Sequence, residues 1–353
     1  MLRNFAEINL YNIKENFRRL AGGKPAVAVV KADAYGHGAV HVANALDKDA
    51  LAFAVSNVDE AEALKTAGIS SPVVVLGDGY PPEFDRAIDC GAVVSVGSVA
   101  NARLLDAAAN RKQMFASAVI CVDTGMNRDG FRHDDVNGIA EVLRLKNVDV
   151  VGIYSHPSRV GDGEFTSLQK ARFDVLKAAL PFPKGMIFSF GNSANICSEY
   201  VPRIGAALYG LSPDGGADSS LLPAMTLRAA ILSVRRVAKG EYIGYGKAFR
   251  APRDTVTATV AAGYAYGISR ALSNVGSVIV GGKRCRIVGS VCMDALMADV
   301  SDADAKIGEY ATLIGADGNE KITCEEVARL CRTINYETVC AVSKRVPRIY
   351  KEK

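Results

Sequence analysis

Residues 25–38 read PAVAVVKADAYGHG, five apolar residues from Ala26 to Val30 and then at once Lys31. A strand apolar at every position, rather than at every second one, is buried on both faces, as in a parallel sheet covered by helices. Comparable runs follow at Leu51–Ser56 (LAFAVS), Val73–Leu76 (VVVL), Val93–Val96 (VVSV) and Ser117–Val122 (SAVICV). Three more are Val150–Tyr154 (VVGIY), Ile187–Phe190 (IFSF) and Ala206–Tyr209 (AALY). Between them DEAEALKTAG, PPEFDRAIDCG, SVANARLLDAAAN and GEFTSLQKARFDVLKAAL carry apolar residues at three- and four-residue spacing, which predicts helices. Eight such units match a (β/α)8 barrel in size and count. A doubly wound open sheet is the alternative, although no G-x-G-x-x-G follows the first strand.

The pattern changes at the polar, Gly-rich stretch Leu211–Met225, which reads as a linker. Beyond it the apolar runs are closely spaced and partly alternating (LRAAILSVRRV, TVTATVAAGY, GSVIVGGKRCRIVGSV, ALMADV, EYATLIG), with turns such as GGK and GADGN between them. This predicts a mostly β second domain with one helix at CEEVARLCRT. The division is 1–223 for the barrel and 224–353 for the β-rich domain.

The 353 residues carry 42 basic and 38 acidic side chains, a net charge of +4 scattered along the chain. No basic block suggests a nucleic-acid groove, and no run approaches the ~20 apolar residues of a membrane helix. The eight cysteines form neither a C-x-x-C pair nor a Cys/His cluster, so no metal site is indicated. They read as small core residues of a reducing compartment, and the N-terminus shows no signal-peptide pattern, so a cytoplasmic location is expected.

Polar clusters stand where the predicted strands end, the face on which barrel enzymes build active sites. Lys31 emerges there from an apolar strand, and a partly desolvated ammonium gives up its proton more readily to become a nucleophile. Tyr35 lies four residues on. Arg128 sits in the loop CVDTGMNRDGF, His156 in GIYSHPSRVGD, Asn192 and Ser193 in SFGNSAN, and Arg203 and Gly205 in VPRIGAALYG. Taken singly each has a bland reading, as a surface loop residue, a satisfied histidine or a helix cap. Together they suggest a phosphorylated cofactor beside a reactive lysine.

VVKADAYGHG resembles the pyridoxal-phosphate lysine signature of the alanine racemase family, and CVDTGMNRDGF resembles that family's VDTGM-x-R loop. The resemblance continues through SHPSRVGD, GNSAN, RIGAALYGL, IGYGKAF, GYAYGISR, GSVCMDALMADV and YETVCAVSKRVPRIY, in family order and over both domains. It implies racemisation of L-alanine to D-alanine with pyridoxal 5'-phosphate carried on Lys31. Lys31 and Tyr245 would be the two acid/bases, acting on opposite faces of the substrate. Tyr35, Ser193, Gly205 and Ala206 would lie at the phosphate, His156 against the cofactor ring and Arg203 at the pyridine nitrogen. Arg128 would meet the ring hydroxyl and the substrate carboxylate, and Met293 would line the substrate pocket through its backbone. Tyr264 matches a tyrosine at the substrate entrance.

The resemblance also implies a homodimer in which the second domain of one subunit completes the partner's site. Two departures stand out. Cys121 replaces a lysine, often carbamylated, that helps position the loop arginine, and Lys344 replaces a tyrosine beside the substrate. A serine or broader-specificity racemase is therefore the alternative within the family. A related decarboxylase and a non-catalytic cofactor-binding barrel are the alternatives outside it.

Overall fold

The computed structural model describes residues 2–159, 162–197, 199–216, 218 and 220–352. The chain forms two compact units, one of Lys14–Ala34 and Ala39–Leu208, the other of Met1–Ile13, Tyr35–Gly38 and Tyr209–Lys353.

In the first unit eight parallel strands follow one another around a barrel: Val27–Val29, Ala52–Val55, Val73–Val75, Val93–Val96, Ala116–Asp123, Val148–Ser155, Ile187–Asn192 and Arg203–Ile204. The eighth returns to pair with the first through Arg203↔Val27 and Ile204↔Ala28. The second and fourth strands are buried at every residue, as their uninterrupted apolar sequence requires. Helices Val58–Thr66, Phe84–Asp89, Val99–Lys112 and Gly163–Ala179 form where the sequence periodicity places them. Three of the four starts, all but that of Phe84–Asp89, are fixed by side-chain caps. Asn57, Ser98 and Asp162 accept the backbone N–H of Glu60, Asn101 and Phe165 respectively.

One strand lies elsewhere than expected. Ala206–Tyr209 is a 3₁₀ turn, and the eighth strand is the two-residue segment before it. With so short a strand, the seam beside the seventh strand is closed by other bonds. Val201 N–H donates to Phe188 O at 3.0 Å, and Ser189 Oγ donates to Val201 O at 2.7 Å.

The second unit is mostly β, with helices Cys324–Cys331 and Asn335–Cys340. Its central strand, Met225–Val237, pairs with Asn4–Asn9 and Tyr310–Asp317 along its first half and with Thr255–Val260 along its second. Register shifts at Leu227/Arg228 and Ile231/Ser233 let it change partners. Asn4–Asn9, an alternately buried strand not evident from the sequence pattern, also pairs with the C-terminal strand Arg348–Lys351. Within the expected linker, Ala217 and Ser219 lie outside the described residues, as do Val160 and Gly161 of SHPSRVGD. Among the described residues no helix is long and apolar enough to cross a membrane, and no disulfide joins the cysteines.

Candidate active site

Parallel strands bring their C-terminal ends to one mouth, so Lys31, Arg128, His156, Ser193 and Gly205 gather at the barrel's rim. Three positive charges bear on His156. Burial, joined by the positive charges of Arg203, Arg128 and Lys31, pushes the His156 imidazole pKa down to about 3. His156 is therefore neutral at physiological pH.

Arg203 is the centre of this cluster. It is 6% exposed, and its guanidinium donates to Ser155 O at 2.7 Å, Ser189 Oγ at 2.6 Å and His156 Nδ1 at 3.2 Å. It also lies over the Tyr154 ring, 4.9 Å from the centroid. Because arginine only donates, Nδ1 of His156 must accept, and the imidazole proton resides on Nε2. No carboxylate pairs with Arg203 among the described residues. A buried cation so placed favours an anionic or lone-pair-bearing group. Tyr154 and Ser189 were not singled out in the sequence. Their only signal is that they point inward from apolar strands.

Ser193 Oγ accepts the amide protons of Gly205 at 2.9 Å and Ala207 at 3.3 Å. Its own hydroxyl proton is left to donate. The Ala206 amide, in a residue only 1% exposed, meets no acceptor among the described residues. A hydroxyl proton and a buried amide facing no carboxylate suit a phosphate, so these residues fit the expected cofactor. The Asn192 carboxamide oxygen accepts the amides of Ala194 and Asn195 and shapes this loop.

After Lys31 the chain turns left-handed for four consecutive non-glycine residues. Ala32, Asp33, Ala34 and Tyr35 all have φ of 53° or 54°. Each such residue costs roughly 1–2 kcal/mol, so the turn persists only because its surroundings hold it. Asp33 Oδ1 accepts the Ala39 amide at 2.8 Å, and Glu60 Oε1 accepts the Ala32 amide at 2.7 Å. Tyr35 belongs to the other unit, where its ring lies 5.1 Å from that of Tyr209 and 6.0 Å from that of Tyr336. Burial holds its phenol pKa above the ordinary value, so it is a donor rather than a base.

The Arg128 loop is built on Asp123. Its Oδ1 accepts the amides of Gly125 and Met126 at 2.8 Å and of Asn127 at 3.1 Å. Gly130, at φ +105°, lets the loop return against its own strand. A Cβ there would sit 2.9 Å from Cys121 O. Arg128 Nε lies 3.5 Å from Asp129 Oδ2, and the Cys121 thiol donates to Asp129 Oδ1 at 3.7 Å. Burial drives the Cys121 pKa up to about 12, so it acts as a neutral thiol. In this chain the carboxylate of Asp129, six residues after Asp123 and steadied by Cys121, stands beside the arginine.

The remaining expected residues lie in the β-rich unit. Tyr245 opens a 3₁₀ turn at the tip of the short hairpin Tyr242–Ile243/Phe249–Arg250 and is 75% exposed. Met293 is 54% exposed and Tyr264 44%. Their loops are tied together, with Tyr264 N–H donating to Cys292 O and Ala265 N–H to Met293 O, each at 3.0 Å. Gly263 permits this approach, since a Cβ there would lie 2.2 Å from Cys292 O. Lys344 is exposed. Its neighbour Arg345 covers the Tyr266 ring at 4.6 Å and pairs with Asp294 at 3.5 Å.

Two family models match the chain: alanine racemase, N-terminal domain, over residues 8–213, and alanine racemase, C-terminal domain, over residues 224–350. The chain is 38% identical to an alanine racemase of Carboxydothermus hydrogenoformans, across 98% of this chain and 99% of that one. Among solved structures it is similar to the alanine racemase of Clostridium difficile 630, with a TM-score of 0.93 and 32% identity over 100% of this chain and 97% of that one. It is also similar to the Bartonella henselae alanine racemase with covalently bound pyridoxal phosphate, with a TM-score of 0.89 and 29% identity over 99% of this chain and 100% of that one. By these matches over both of its domains, the chain belongs to the alanine racemase family.

Proposed function

We propose that this chain interconverts L- and D-alanine using pyridoxal phosphate held at Lys31, with Lys31 and Tyr245 as the two proton-transfer groups. The observation that carries this reading is the cationic barrel mouth, where Lys31, Arg128 and buried Arg203 surround a neutral His156. When bound, the cofactor delocalises the electron pair left behind as the substrate's α-proton departs.

The chain's own residues do the rest. The Ser193 hydroxyl, the Ala206 amide and the Tyr35 phenol would hold the phosphate, with Gly205 fixing Ser193 through its own amide. His156 would lie against the cofactor ring. Arg203 would face the pyridine nitrogen, and a permanent cation has no basic site with which to stabilise a proton there. That weakens the electron sink and favours quick return of the proton over side reactions. Arg128 would grip the substrate carboxylate and Met293 would line the pocket. One acid/base then removes the α-proton while the other supplies a proton to the opposite face.

The reading assigns cofactor binding to residues 1–223 and the second acid/base to residues 224–353. Exposure of Tyr245, Tyr264 and Met293 supports a homodimer in which these residues reach a partner's barrel mouth. A cytoplasmic site of action is consistent with eight cysteines and no disulfide among the described residues.

The test is a visible absorption spectrum of the purified protein followed by polarimetry with L-alanine. The reading predicts cofactor absorbance and decay of optical rotation to zero, and a constant rotation in the loaded protein would overturn it. A second reading, broader specificity that includes serine, is favoured by exposed Lys344. It predicts that serine rivals alanine in kcat/KM and that Lys344→Tyr restores the preference for alanine.

A further inference from the structure

Glu60 is assigned no contact with cofactor or substrate above, yet its carboxylate joins the ends of the first two barrel strands. Oε1 accepts the Ala32 amide at 2.7 Å, while Oε2 accepts both the Ser56 amide at 2.8 Å and the Ser56 hydroxyl at 2.9 Å. The two amides follow neighbouring strands, Ser56 directly after Ala52–Val55 and Ala32 three residues after Val27–Val29. Ladder bonding near the first strand's end closes with Val30 N–H donating to Ala54 O, so Ala32 and Ser56 each carry a donor just past the sheet. The third position of helix Val58–Thr66 delivers Glu60 to that gap, and Asn57 Oδ1 fixes its backbone by accepting the Glu60 amide at 2.9 Å.

From this geometry we infer that Glu60 is the positioning residue for Lys31. Ala32 is both the residue next to Lys31 and the first of four left-handed residues. A charge-assisted hydrogen bond at that amide holds the strained turn at its root. It thereby fixes the direction in which the Lys31 side chain leaves the strand. Asp33 secures the far end of the turn through Ala39. The inference rests on the reading of Lys31 as the cofactor lysine, and its test separates the two.

The experiment measures the rate at which pyridoxal phosphate becomes attached to apo-protein, fixed with borohydride and located by peptide mass. Wild type, Glu60→Ala, Glu60→Gln and Lys31→Ala are compared at matched thermal stability. Glu60→Ala slows labelling of Lys31 by about tenfold or more, the loss expected for one charge-assisted hydrogen bond. Glu60→Gln keeps an acceptor for Ala32 and recovers most of that rate. In turnover, solvent-isotope incorporation falls more from one alanine enantiomer than from the other, because only the face served by Lys31 is misaligned. A merely structural role for Glu60 would lower both equally. Should Glu60→Ala not fold, Glu60→Asp, whose carboxylate is one methylene short of the Ala32 amide, carries the same comparison. Labelling at the wild-type rate in folded Glu60→Ala or Glu60→Asp, or equal loss from both enantiomers, overturns the inference. Labelling that persists elsewhere in Lys31→Ala would instead sink the assignment of Lys31.

Discussion

The barrel mouth and the Tyr245 face solve opposite problems. At the mouth the chemistry is packed in place: Arg203 is buried and makes four hydrogen bonds, His156 is neutralised, Ser193 is clasped by two amides and Lys31 rides on a turn held at both ends. On the β-rich unit the corresponding side chains stand in solvent, with Tyr245 the most exposed of all. Among the described residues, no hydrogen bond to the Tyr245 hydroxyl is seen, and the side chain is 75% exposed. The contrast is the one expected if, as proposed, the barrel mouth is one half of the site and the exposed face is completed by a second copy.

The largest expected effects separate these halves. On the proposed reading Lys31→Ala removes the cofactor lysine, so both visible absorbance and racemisation should vanish, with kcat down at least roughly 10⁴-fold. Tyr245→Phe should slow racemisation by about 10²–10⁴-fold while leaving absorbance and Tm unchanged, because the lost hydroxyl touches nothing that holds its unit together. A drop in Tm for Tyr245→Phe would show that this face is more finished than its exposure implies.

Next in size comes the carboxylate grip. Arg128→Ala should raise KM for alanine more than it lowers kcat. Asp129→Asn should raise it by no more than about fivefold, since a partly exposed ion pair is worth up to ~1 kcal/mol. An equal effect of the two variants would mean that Asp129 matters beyond holding Arg128.

A separate effect, on stability rather than turnover, concerns acid. His156 has a folded pKa of about 3 against an ordinary 6.5, so the unfolded chain binds more protons between those values. Its contribution to stability is complete above pH 6.5 and is lost as pH falls toward 3. Unfolding of the apo-protein by urea should become easier across that window, with a slope of at most about 1.4 kcal/mol per pH unit from this group. His156→Gln should flatten the slope.

Much of the barrel half could be read from residues alone. Uninterrupted strands such as LAFAVS and VVSV have few alternatives to double-sided burial, and the strand ends then point to Lys31, Arg128, His156 and Ser193. The seam was not legible, because a two-residue strand leaves no periodicity and AALY looks as apolar as a strand. Strand Asn4–Asn9 was hidden for a related reason: its partners are more than two hundred residues away. Positioning residues such as Glu60, Asp129 and Tyr154 were invisible because their roles depend on which amide or cation lies opposite. Tyr245 was legible only through family resemblance, since an exposed tyrosine in a short hairpin carries no local mark of function.

The most direct test of complementary halves mixes two crippled chains. Lys31→Ala keeps Tyr245, and Tyr245→Phe keeps Lys31. After unfolding and refolding together in equal amounts, half of the dimers are hybrids, and each hybrid holds one site with both groups intact. The account predicts recovery of about a quarter of wild-type activity, from half the dimers with one good site in two. Activity no greater than the sum of the two separate variants would contradict it.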